Sequence, residues 1–133
     1  MSIASLPANI YTTLSGYAGI KSLVANSGSP VTYRIDPIQR GHSGTDPFIV
    51  YQQVSDSAFN HLSNAGGGGK RNVRVQISSF APTHKAAYEL AEQVRLAMSS
   101  ATLFSSVYLV TLDSFEADTK LYSVITDYSV NTF

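Results

Sequence analysis

Gly66-Gly67-Gly68-Gly69-Lys70 is the stretch of this chain whose composition suggests phosphate chemistry. A phosphate loop needs a glycine, four residues, then Gly-Lys-Ser/Thr opening a helix, so that backbone N–H groups converge on the oxyanion. Here Asn64 stands where the first glycine belongs, Arg71 follows Lys70, and a strand pattern comes next. The dinucleotide fingerprint fails too, because Arg71 occupies the position of its last glycine. Gly41-His42-Ser43-Gly44-Thr45 has the outline of a nucleophile elbow. That turn needs glycine two residues after the serine and a helix behind it; Thr45 takes the position and no helical pattern follows.

The remaining titratable groups fare no better. His42, His61 and His84 fall on separate polar segments without ligand spacing, and read as exposed loop histidines. Glu89 and Glu92 sit opposite the Leu90/Val94 stripe, within helical reach of Lys85 and Arg95, which predicts a solvated, ion-paired face. Lys70, Arg71 and Arg74 form a basic cluster, with Arg71 and Arg74 on opposite faces of a strand. Two readings of the cluster stay open: charges that keep a strand edge soluble, or a contact with an acidic patch on a partner or with nucleic acid passing nearby. None of these patterns supports an enzyme, a cofactor or a metal.

The elements that must hold such groups can be read from periodicity. Leu6, Ile10, Leu14 and Tyr17 make one helical stripe, with Pro7 tolerated near the start, and Gly16 weakens the helix there. A short second turn covers Ile20 to Val24 and ends in the breaker cluster Asn26 to Pro30. Val31 to Ile35 reads as a strand, Asp36 to Asp46 as a loop, and Phe48 to Val54 as a strand. Ser55 to Gly69 reads as a polar, glycine-rich loop expected to be mobile rather than a linker between domains. Val73, Val75 and Ile77 alternate with polar residues in a strand from Arg71 to Ser79. A helix from His84 to Ser99 follows, with Thr83 as its N-cap but no capping-box glutamate. Phe104 to Phe115 and Leu121 to Val130 read as a hairpin, the second strand carrying Tyr122, Val124, Thr126, Tyr128 and Val130 on one face. Helices bracket strands without regular alternation. This predicts one α+β domain over residues 1–133, with a single antiparallel or mixed sheet of about 4–5 strands and two main helices packed on one face.

Bulk properties agree with a folded domain. The 133 residues suffice for a core without metals or disulfides. With nine basic and nine acidic residues the net charge is zero, which argues against a general nucleic-acid or membrane-surface binder. Charged residues are only 14%, against a usual ~25%, and hydroxyl and amide side chains supply the polarity. Such a surface suits a protein that packs against copies of itself. There is no cysteine, so disulfides, thiolate metal sites and cysteine nucleophiles are out. No secretory signal or spanning segment is apparent, so synthesis in a cytoplasm is expected and a membrane partner is not.

Several phrases, in order, carry a resemblance. They are Pro47-Phe48-Ile49-Val50-Tyr51-Gln52-Gln53-Val54-Ser55, then Val73-Arg74-Val75-Gln76-Ile77 with Ala86-Ala87-Tyr88-Glu89-Leu90-Ala91-Glu92-Gln93-Val94-Arg95. Asp113-Ser114-Phe115-Glu116-Ala117-Asp118-Thr119-Lys120-Leu121-Tyr122 and Asp127-Tyr128-Ser129-Val130 close the set. Together they resemble the tail completion proteins of long-tailed bacteriophages, a group related in fold to the lambda-type tail terminators. The chain departs from that pattern at its glycine run and at Ser123, where a basic residue often follows Leu-Tyr.

The resemblance implies a structural virion protein, made in the host cytoplasm and carried at the head–tail junction. It implies a homo-oligomeric ring, usually of six subunits, capping the head-proximal end of the tail tube. Its partners would be the tail tube protein and the head–tail connector or neck protein, with passive contact to passing DNA. A ring subunit needs two different patches, because head-to-tail contacts close only at the right rotation. The candidate subunit or tube contacts are Arg40 and His42 in the first polar loop, and His61, Gly66, Gly67, Gly68, Gly69 and Lys70 in the second. Arg71, Arg74 and exposed strand edges complete the set. A neck or head-completion ring protein is the alternative within the virion, and a small ligand-binding module the alternative outside it.

Overall fold

A computed structural model describes residues 6–25, 32–37, 46–58, 71–102, 104–117 and 120–132, with backbone alone at 55–58, 71, 131 and 132. Helix α1 (Leu6–Gly16) buries Leu6, Ile10 and Leu14, the stripe its spacing predicts. The expected short turn is a full second helix, α2 (Ala18–Val24), which buries Ile20 and Val24. It lies close to the helix that carries Gln93: a Cβ on Gly19 would collide with Gln93 Oε1.

The strand expected at Val31 to Ile35 is displaced toward the C-terminus. β1 is Ile35–Pro37, three residues long and parallel to the next strand. Arg34 explains the shift. Its guanidinium reaches Pro47 O at 2.7 Å, Ala25 O at 3.1 Å and Leu23 O at 3.2 Å. The side chain satisfies carbonyls at the end of α2 and ties them to the start of β2, as a basic group at a helix C-terminus can. The backbone around it therefore serves a junction, with an isolated Ala25–Tyr33 bridge, and pairing begins only at Ile35.

β2 (Phe48–Ala58) continues four residues past the expected end. Ser55 to Ala58, expected in a loop, pair with Arg74 to Arg71 of β3 (Arg71–Ala81) beyond a bulge at Val54. Ladder hydrogen bonds belong to the backbone, so a polar stretch can extend a strand that periodicity ends early. The helix α3 (His84–Ser99) has the expected bounds, and Thr83 Oγ1 accepts from Ala86 N–H at 3.2 Å. β4 (Ser105–Glu116) and β5 (Leu121–Thr132) form the expected hairpin, with Lys120 at φ 57° where the chain enters β5.

Among the described residues the sheet has five strands in the order β1-β2-β3-β5-β4, mixed because β1 and β2 are parallel, and with three helices this is an α+β fold. β5 lies between β3 and β4. Val73, Val75 and Ile77 stand opposite Val130, Tyr128 and Thr126. All of these but Thr126 share one buried cluster with Leu90, Val94, Ala97 and Met98 of α3 and with the stripes of α1 and α2. Ala87 and Ala91 meet Ala81 and Val124 in a smaller cluster near the start of α3. No helix among the described residues is long and apolar enough to cross a membrane.

Candidate functional site

Among the described residues β4 is an edge of the sheet, and its exposed apolar residues are not those an edge usually carries. Exposed edges tend to be short or charged, because their free N–H and C=O groups invite another strand. β4 runs for 12 residues with none buried. Val107, Tyr108, Leu109, Val110, Leu112 and Phe115 are 37–59% exposed. Its bulge leaves Leu109 without a partner between the Tyr108–Tyr128 and Val110–Asp127 pairs. A bulge re-aims the side chains around it. The register puts Val107, Val110 and Leu112 on one face, opposite Ser129, Asp127 and Ile125. Tyr108, Thr111, Asp113 and Phe115 fall on the other, opposite Tyr128, Thr126, Val124 and Tyr122. β4 is thus apolar toward both sides.

On the second of these faces, α3 and β4 flank a groove of about 440 Å³ lined by Tyr88, Ala91, Glu92 and Arg95 of α3 and by Tyr108 and Thr111 of β4. Arg95 pairs with Glu92 one turn earlier and holds its carboxyl below the usual range. At the groove's end His84 Nε2 lies 3.3 Å from Asp113 Oδ2, and the Tyr88 hydroxyl donates to that same oxygen at 3.1 Å. The hydrogen bond to Asp113 raises the Tyr88 phenol above its ordinary value. The His84 ring is edge-on to Tyr88 and Tyr122, and Phe115 lies against Tyr122 at 4.7 Å. Both members of the His84–Asp113 pair are about half exposed, at 52% and 43%. A half-solvated imidazole–carboxylate contact on aromatic rings joins α3 to β4; it is suited to adhesion more than to proton transfer. Among the described residues no three acidic, histidine or cysteine side chains gather as metal ligands.

Of the contacts expected from sequence, Arg40, His42, His61, Gly66, Gly67, Gly68, Gly69 and Lys70 lie outside the described residues. Arg71 opens β3 opposite Thr132. Arg74 has the opposite strand parity, on the side of β3 away from Val73 and Val75, and its guanidinium donates to Asp127 Oδ2 at 2.6 Å. It is therefore engaged within the chain, while its side chain stays 46% exposed. Asn72 donates to Ser129 nearby, so this side of β3 and β5 carries a polar network. His84, read as a solvent-exposed histidine, opens α3 where the helix is expected to start, and it meets a carboxylate 29 residues away that no local spacing announces.

The profile of a family described as Tail completion protein gp17 matches residues 8–132, from α1 to the end of β5. No curated protein matches the chain.

Proposed function

Because the chain belongs to the Tail completion protein gp17 family, the structural proteins that complete a bacteriophage tail, we propose that it acts as the terminator of the tail tube. Six copies form a ring on the head-proximal end of the tube, stop further subunits adding, and present a surface to the head connector. In this reading the helices all cover one face of the sheet, and β4 is left for a neighbour. The observation that carries the reading is that exposed apolar edge: 12 residues with none buried is a costly surface for a protein that stays alone.

The same reading makes Arg40, His42, His61 and the Gly66 to Lys70 run contacts to neighbouring subunits or to the tube. The test is the mass of the purified chain, alone and with tail tube protein, together with electron microscopy of particles lacking it. A stable ring, or one formed only on the tube, and overlong tails in its absence are the expected outcome. Normal-length tails detached from heads would instead make it a joining protein of the neck. A chain that stays monomeric on the tube would refute the ring.

A further inference from the structure

The sheet has a second open place at the edge opposite β4. β1 covers β2 only from Ile49 to Tyr51, so β2 from Gln52 onward has no outer strand among the described residues. Beside it, α1, β1, β2 and β3 flank a mostly apolar hollow of about 290 Å³, lined by Leu6, Pro7, Ile10, Tyr51 and Val75, with Gln52 and Gln53 as its polar part. An apolar cavity of about 150 Å³ accepts a benzene ring, so this one has room for two side chains of leucine or valine size.

We propose that β4 of one copy docks at this hollow on the next copy, Leu112 and its apolar neighbours entering between α1 and β2. The inference rests on the ring reading above and specifies which two surfaces make it. Three observations fix the occupant as a second copy of this chain. The two surfaces lie at opposite edges of one sheet, which is what a head-to-tail contact needs and a two-fold contact does not. They match in kind: neither Val107 to Val110 with Leu112 nor the named lining of the hollow includes a charge, so joining them strands no ion. They also match in size. The exposed apolar side chains of β4 present on the order of 500 Å² over the strand's two faces together, an area in the range of a monomer's larger patches. A stable interface buries ~800 Å² on each partner, so β4 supplies much of one copy's share, and the β2 edge with the surroundings of the hollow supplies the other's.

The absence of cysteine makes the test clean. The chain carrying both Leu112→Cys and Pro7→Cys is oxidised under assembling conditions, with tail tube protein if the ring needs it, and run on a non-reducing gel. A covalent ladder rising to the ring number, with each single variant remaining uncrosslinked, is the expected result; Val110→Cys with Pro7→Cys repeats it at a second position. Assembly by light scattering without a ladder from either pair overturns the pairing and leaves the ring standing. Dimers from Leu112→Cys alone also overturn it, since they mean β4 meets β4. A chain monomeric under every condition overturns both readings. As a second arm, Leu112→Glu should keep the circular dichroism of the parent monomer and weaken assembly by about tenfold or more, because the contact would bury an unpaired charge. Undiminished assembly of that variant refutes the docking.

Discussion

Replacing Arg74 with alanine should weaken the fold of the monomer itself, and the geometry of its pair bounds the amount. The guanidinium lies 2.6 Å from Asp127 Oδ2, with the arginine side chain 46% exposed and the aspartate only 11%. A hydrogen bond to a charged group contributes about 1.5–3 kcal/mol. Solvent screens the exposed arginine end and pulls the figure down, because an exposed pair is worth under ~1 kcal/mol. Loss of the arginine also leaves a carboxylate whose buried Oδ1 already lacks a partner, which pulls it up again. A fully buried pair broken on one side costs ~3–5 kcal/mol, and this pair falls short of that. The expected loss is therefore about 2 kcal/mol, a fall of roughly 6–10 °C in Tm for a domain of this size. Urea unfolding of the monomer at pH 7, followed by far-ultraviolet circular dichroism, measures it. A double-mutant cycle with Asp127→Ala should return a coupling of about 1–2 kcal/mol. A loss below ~0.5 kcal/mol with additive singles would refute the reasoning. If such a variant also failed to assemble, Arg74 would act between subunits and not within one.

Tyr128 is 1% exposed and, apart from a weak approach to Thr126, its hydroxyl has no partner among the described residues, so Tyr128→Phe should be neutral or stabilising, by up to about 1 kcal/mol in urea. Burial pushes that phenol up to about 12 from an ordinary 10. The neutral form's stabilisation is then complete below pH 10 and lost as pH rises toward 12, and Tyr128→Phe should flatten this part of the wild-type stability profile. Thr83→Ala removes the cap on Ala86 N–H and should cost ~1 kcal/mol by thermal unfolding, with the partly solvated Ser in Thr83→Ser restoring most of it. A methyl on Gly16 meets nothing within 4 Å, so Gly16→Ala should raise stability by about 0.5 kcal/mol through the unfolded chain.

Elements with a strong period and a local stop were legible. α3 has its expected bounds because Thr83 caps it and Ala87, Leu90, Ala91 and Val94 keep a helical stripe. β5 shows its inward face through Val124, Thr126, Tyr128 and Val130, since all are buried against one side. What failed were features fixed by distant partners. Nothing near Arg34 states that its guanidinium will bridge α2 and Pro47, so the strand there was placed too early. The polar end of β2 pairs only because β3 lies beside it. The edge position of β4 is a matter of strand order, which periodicity does not encode. Its signal was the run Val107-Tyr108-Leu109-Val110, in which alternation lapses where the bulge lies. Arg74 stood out by charge, but its engagement with Asp127 spans 53 residues and became visible only in three dimensions.

The place of β5 in the middle of the sheet has a consequence for how the chain is made. β3 waits for a neighbour that the ribosome delivers 49 residues later, as the Thr126 to Ile77 hydrogen bond measures. At 5–20 residues per second that is a delay of about 2–10 s. Throughout it, Val73, Val75 and Ile77 have β2 on one side and an open ladder on the other. The nascent chain is thus most adhesive just before the hairpin emerges. In an infected cell crowded with identical nascent chains, arrival of β5 is the event that separates productive folding from premature sticking.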